Sequence, residues 1–215
     1  MSGPAPILTG FRQSVYTRVV RIALAEKGVA HDYEEHDPFA PDAQGPHPFG
    51  RVPVLRHGDF RIYETAAITD YIDRAFDGPA LMPEGARPAA RVAQVIGIVD
   101  AYGYWPLVRQ VYSHAVYRPA LGEPCSSDII TEGLASAPRV LCALDSLVEE
   151  GLVLAGGFTR ADCHLAPMIA AFSDAPQGAA MLGDFPRLAA WWAAARERPS
   201  VMSTQTPLSP GGPGR

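Results

Sequence analysis

Pro48-Phe49-Gly50-Arg51-Val52-Pro53-Val54-Leu55, followed by Tyr63-Glu64-Thr65-Ala66-Ala67-Ile68, is the part of this 215-residue chain that decides the fold. Val54 and Leu55, then Phe60 and Ile62, supply apolar strand positions, and Gly58-Asp59 between them suits a tight turn with glycine first. Proline at a strand entry cannot donate to the ladder, so Pro53 marks an edge or a special backbone. Were the Val52-Pro53 bond cis, the Val52 N–H and C=O would turn outward and pair with an extended peptide. Thr65 is expected to cap the next helix, whose first-turn N–H groups attract a carboxylate. Glu64 beside it offers a countercharge to an ammonium. Together they describe a site for a small peptide.

Working outward, Ile7 to Thr9 reads as a strand. Val15, Val19, Ile22, Ala23 and Leu24 recur at helical spacing up to Gly28, a suitable helix end. His31 to His36 reads as a second strand. The segment from Asp37 to Pro48 carries four prolines and is expected to be an irregular loop. The helix after Glu64 should bury Ile68, Tyr71, Ile72 and Phe76. Residues 79–87 read as a Gly- and Pro-rich linker.

Beyond the linker the pattern turns helical. A long helix over 88–118 carries Val92, Val95, Ile96, Val99, Leu107 and Val111, with a kink expected at Pro106. A second helix over 127–150 buries Leu134, Leu141, Leu144, Leu147 and Val148. Thr159-Arg160-Ala161-Asp162 is a short variant of the capping box ahead of a third. Phe185-Pro186 opens a final helix through Trp191 and Trp192 to Arg198. Residues 203–215 are expected to be a loose tail.

Composition limits the alternatives. An apolar fraction of 47% supports a real core, and a net charge of −5 argues against a nucleic-acid partner. No apolar run approaches the ~20 residues that span a bilayer. The start lacks a basic and apolar leader, and Cys125, Cys142 and Cys163 form neither a disulfide framework nor a zinc pattern. The expectation is a cytoplasmic protein without a metal.

Four segments, in order, resemble the cytosolic glutathione S-transferase family over roughly residues 6–202. They are Ser14 to Gly28, Pro48 to Pro53, Tyr63 to Ile68, and Thr159 to Asp162. The resemblance is to a serine-type member, phi- or theta-like or of a bacterial class. It implies a thioredoxin-like α/β domain over 1–78 (βαβ-ββα, mixed four-stranded sheet). An all-α C-terminal domain then follows over 88–202, in a homodimer.

The resemblance also implies an activity: attack of the glutathione thiolate on a small electrophile. In that reading Ser14 is the catalytic residue, its hydroxyl stabilising the thiolate, while Tyr16 and Thr17 are the neighbouring alternatives. Arg51, Val52, Pro53, Glu64 and Thr65 bind glutathione. His36 and His47 are candidates for the glycyl carboxylate, which this sequence leaves open. Tyr16, Tyr102, Trp105, Arg109 and Tyr112 line the co-substrate pocket, Tyr102 to Tyr112 falling near one helical face. Arg109 among aromatics suggests an anionic or polarised electrophile. The plainer readings are a helix cap for Ser14, a solvated acid for Glu64, and packing for the aromatic stripe. Two rivals share the scaffold: a glutathione-dependent isomerase or dehalogenase, and a non-catalytic binding protein.

Overall fold

The computed structural model describes residues 4–40 and 43–208. Strand β1 (Ile7–Gly10) leads into α1 (Val15–Glu26), and β2 (Asp32–Glu35) returns parallel to β1, with Leu8 opposite Tyr33. The antiparallel pair β3 (Val54–His57) and β4 (Phe60–Tyr63) follows the irregular loop, and β1 pairs antiparallel with β3. The sheet order is β2-β1-β3-β4, and α2 (Thr65–Ala75) comes next. This is the βαβ-ββα order read from the sequence. Gly58 supplies the positive φ, +63°, that the hairpin turn requires.

Helix α1 forms because its apolar residues lie on one stripe. Val19, Val20, Ile22, Ala23 and Leu24 are fully buried against the sheet and the helical layer. Gly28, at φ +66°, lets the chain turn away from its end. The buried Lys27 Nζ lies 3.2 Å from Asp73 Oδ1, which also accepts the Leu81 N–H at 2.8 Å. One ion pair therefore ties the end of α1, α2 and the start of the linker together. The Leu81 carbonyl in turn accepts the Arg160 N–H at 2.8 Å.

The next helix starts at Ala86, slightly earlier than expected, with Pro88 in its first turn where a missing N–H is harmless. α3 (Ala86–Ile98) continues into a segment of π geometry, Val99–Tyr117, and a last turn, α4 (Arg118–Ala120). Pro106, where a kink is expected, lies within this widened ladder. An i→i+5 pattern redistributes the hydrogen bonds around a residue that cannot donate.

Helix α5 (Ser127–Glu150) packs along the widened segment. Gly133 permits the approach: a Cβ there would stand 2.8 Å from Gln110 Cβ and 3.0 Å from the Pro106 carbonyl oxygen. α6 (Arg160–Asp174) is the central helix, with Arg160 through Ile169 all buried. α7 (Pro176–Leu182), α8 (Pro186–Ala195) and α9 (Pro199–Ser203) surround it. The single closing helix expected from Phe185 to Arg198 is thus α8 alone, ending at Ala195.

The tail also departs from expectation. Residues 204–207 lie along α1, where Arg21 Nη1 donates to the Thr204 carbonyl at 3.0 Å and to Thr206 Oγ1 at 3.2 Å. Gln13 Nε2 reaches the Pro207 carbonyl at 3.3 Å. The Arg21 guanidinium and the Gln13 amide satisfy those acceptors, so this stretch is held rather than loose. Residues 209–215 lie outside the described residues.

Candidate active site

The loop from β1 to α1 is tightly built. Gly10 leaves room for the buried Thr17 side chain, which a Cβ at that position would strike, and Thr17 Oγ1 accepts the Phe11 N–H at 3.3 Å. The Ser14 N–H bonds the Phe11 carbonyl at 2.9 Å, and Ser14 is the N-cap of α1, its Oγ accepting the Thr17 N–H at 3.3 Å. The cap expected of a serine here is therefore real, yet it uses only an acceptor lone pair. Among the described residues the Ser14 hydroxyl donates to no group, and the side chain lines a cleft of about 870 Å³.

The two neighbours are placed differently. Thr17 is fully buried behind the loop. Tyr16 lines the cleft, its ring centroid 4.9 Å from that of Tyr104. Burial first, then the Asp100 carboxylate, pushes its phenol well above the ordinary range, so it stays protonated.

Arg51, Val52, Pro53, Glu64 and Thr65 line the same cleft. The Val52-Pro53 bond is cis, and Val52 precedes β3, so its N–H and C=O lie outside the ladder. The helix cap differs from the one expected. Glu64, at φ 68° and ψ 114°, is the N-cap of α2 and makes no side-chain capping bond, while Thr65 is already the first helical residue. A hydroxyl inside the helix cannot reach its own first-turn amides. The first internal bond runs from the Ile68 N–H to the Glu64 carbonyl. The earlier amides keep the partial positive charge of a helix start, and Thr65 and Ala66 both border the cleft.

The two histidine candidates separate. His36 is not among the cleft residues. His47 is buried at the rim, its Nδ1 accepting the Phe49 N–H at 3.1 Å and its Nε2 3.9 Å from Glu64 Oε1. Burial lowers its pKa despite the acid, so the neutral ring carries its hydrogen on Nε2.

The widened segment forms the opposite wall through Asp100, Tyr104, Trp105, Val108, Arg109, Tyr112, Ser113 and Tyr117. Tyr102, expected there, is 67% exposed and outside the cleft. The cause is the changed period. A 3.6-residue turn aligns 102, 105, 109 and 112, whereas this ladder brings positions about four apart to one face. Burial and then Asp174 push the Tyr112 phenol up to about 12.

Behind Asp100 lies an arrangement that sequence reading did not find. The fully buried His164 has Nε2 3.2 Å from Thr69 Oγ1, and its Nδ1 stands 3.8 Å from Asp100 Oδ1 with no hydrogen-bond partner. Arg160 donates to the Ala66 carbonyl at 2.8 Å and to Asp70 at 2.6 Å. These contacts lock α6 onto the first turns of α2. Arg160→Ala is expected to cost about 2 kcal/mol, since the Ala66 carbonyl loses its side-chain donor while Asp70 keeps only its pairing with Arg74. Urea unfolding checks this, and a loss below half that value would contradict it.

The family model described as glutathione S-transferase, N-terminal domain, matches residues 8–80. Glutathione S-transferase F6 of Arabidopsis thaliana is 31% identical over 204 residues, covering 89% of this chain and 95% of that protein. Glutathione S-transferase 1 of Zea mays is 29% identical over 203 residues, covering 89% and 92%. Among solved structures, glutathione S-transferase I from mais in complex with an atrazine glutathione conjugate superposes with a TM-score of 0.79. It is 26% identical, with 94% of this chain and 96% of that one covered. Strand order, cleft and relatives agree along nearly the whole length, and this chain belongs to the glutathione S-transferase family.

Proposed function

We propose that the protein joins the sulfur of glutathione to an electrophilic small molecule, with the Ser14 hydroxyl donating to the thiolate. The observation that carries this reading is the undonated Ser14 O–H in a cleft shared with Val52 and the open start of α2. A thiol of pKa near 8.5 is mostly protonated at neutral pH, and the thiolate is the nucleophile. A donor aimed at sulfur, helped by the start of α1, favours the reactive form.

The rest of the cleft matches the tripeptide group by group. The α2 amides take the γ-glutamyl carboxylate, Glu64 takes its ammonium, and Val52 pairs with the cysteinyl main chain beside Pro53. Thr65 supplies an amide rather than a cap. In this reading Arg51 and the His47 Nε2–H are the donors available to the glycyl carboxylate. Relatives named glutathione S-transferases, and a solved neighbour holding a glutathione conjugate, support the activity.

The same reading makes 1–78 the glutathione-binding domain, 79–87 the linker and 88–202 the helical domain, in a homodimer. A cytoplasmic setting suits three cysteines that remain thiols. The test is conjugation of glutathione to chlorodinitrobenzene. Turnover indistinguishable from the uncatalysed rate with this and a panel of other electrophiles would refute the function.

Glu64 allows a sharper check. Its positive φ is costly for any residue but glycine. Glu64→Gly should therefore stabilise the fold by roughly 1 kcal/mol, strain relieved less the extra backbone entropy of glycine. It should also weaken glutathione binding about tenfold. Melting and calorimetry give both values, and undiminished affinity would remove Glu64 from the site.

A further inference from the structure

Arg109 lines the cleft on the wall opposite the peptide rim, and the tripeptide gives its positive charge no role. It is half-buried in the wall of the widened segment, with its guanidinium carbon 6.0 Å from the centroid of the Phe39 ring. Among the described residues it makes no hydrogen bond and meets no carboxylate within 4.0 Å. Arg51, the other cleft arginine, likewise meets no carboxylate within 4.0 Å among the described residues, but it is assigned above to the glycyl carboxylate. A half-buried guanidinium that meets no carboxylate among the described residues is suited to an anionic ligand.

Its surroundings are flat and apolar. Phe39, 68% exposed, packs edge-on against Phe11 at 6.3 Å, and Trp105, 61% exposed, stands at the same cleft. Large aromatic rings left open around a cation suit a ring that carries a negative group. Arg109 lies nine residues beyond Asp100 on the same cleft wall, roughly 13 Å at the α-helical rise. Asp100 is beside Tyr16, two residues from Ser14. Ser14 and Arg109 line one cleft, so an aromatic electrophile seated in it faces the sulfur on one side and the guanidinium on the other.

Resting on the function proposed above, we infer that the preferred electrophiles are aromatic rings bearing a carboxylate or similar anion. Arg109 sets this preference with Phe39 and Trp105. The chemical step is an ordinary substitution. The thiol proton leaves to solvent, the sulfur lone pair forms a bond to the ring carbon, and the carbon–halogen bond breaks with its electron pair leaving as halide. Arg109 holds the remote anion and takes no part in bond exchange.

The experiment compares a chlorodinitrobenzoate with the matching neutral amide, dividing each kcat/KM by its uncatalysed rate with glutathione. The wild type is expected to favour the benzoate at least tenfold. Raising ionic strength from about 0.05 to 0.5 M should shrink that ratio, because salt screens an exposed pairing. Arg109→Ala should lower the benzoate-to-amide ratio tenfold or more. Arg109→Lys should give an intermediate value, since a point charge lacks the planar fork.

A wild-type ratio near one, with the amide turned over, overturns the inference and leaves glutathione transfer standing. An unchanged ratio in a folded Arg109→Ala also overturns it. Turnover of neither compound, nor of chlorodinitrobenzene, refutes the activity and the inference together. Should Arg109→Ala fail to fold, the wild-type ratio and its salt dependence still decide.

Discussion

Ser14→Ala is expected to lower kcat at neutral pH by roughly 10- to 100-fold. A hydrogen bond to a charged group contributes about 1.5–3 kcal/mol, and about 1.4 kcal/mol is a factor of ten in an equilibrium or rate. The donor acts on the thiolate and not on the thiol, so its loss raises the pKa of bound glutathione by about one to two units. The pH–rate profile should shift to higher pH by that amount, with part of the lost activity returning in alkali. Glutathione affinity should stay within a few-fold, because the tripeptide keeps its main-chain and carboxylate contacts. The cap on the Thr17 N–H is lost as well, at about 1 kcal/mol of stability. Ser14→Thr keeps a hydroxyl and a cap, and separates the two effects. An alanine variant with normal turnover and an unmoved pH profile would rule out the serine mechanism.

Asp162→Ala is expected to destabilise the fold by about 3–5 kcal/mol, well beyond the ~1 kcal/mol of an exposed cap. Asp162 is buried. Its Oδ2 accepts the Thr159 N–H at 2.8 Å and the Thr159 hydroxyl at 2.7 Å, while Oδ1 accepts the Trp191 Nε1–H at 2.8 Å. Removing the carboxylate leaves those donors buried and unpaired at the start of the central helix. Burial is also the leading influence on the acid itself, raising its pKa above the ordinary value of 3.8 despite the three donors. Between that value and its raised folded value the native chain binds more protons than the unfolded one. Stability from this group therefore rises as pH falls through the window. The deficit of the alanine variant should be larger near pH 4 than at pH 7. Urea unfolding at both pH values checks this, and a deficit under 1 kcal/mol would show that the box is only a surface cap.

Much of the architecture was legible because it rests on local rules. The period-2 runs around Gly58 announce β3 and β4, the apolar stripe ending at Gly28 announces α1, and Thr159 with Asp162 announces α6. Each depends on residues a few positions apart. The cleft residues Ser14, Arg51, Val52, Pro53 and Glu64 were readable for the same reason, since a loop, a strand entry and a helix start are all local features.

Other features depended on distant packing. Thr65 looked like a cap, but Glu64 takes a positive φ and pushes the hydroxyl into the helix. Tyr102 looked like a pocket residue at 3.6 residues per turn, and the widened ladder through Pro106 turned it to solvent. The tail looked loose until Arg21 supplied a donor to the Thr204 carbonyl from 183 positions earlier. His164 acquires its neighbours Thr69 and Asp100 only when α6 is laid across α2 and the widened segment. Short-range chemistry was enough to specify strands, helices and the rim of the cleft. Helical pitch, cap geometry and buried polar partners are settled by which surfaces meet, because hydrogen bonds and close packing are made between groups that no local pattern connects.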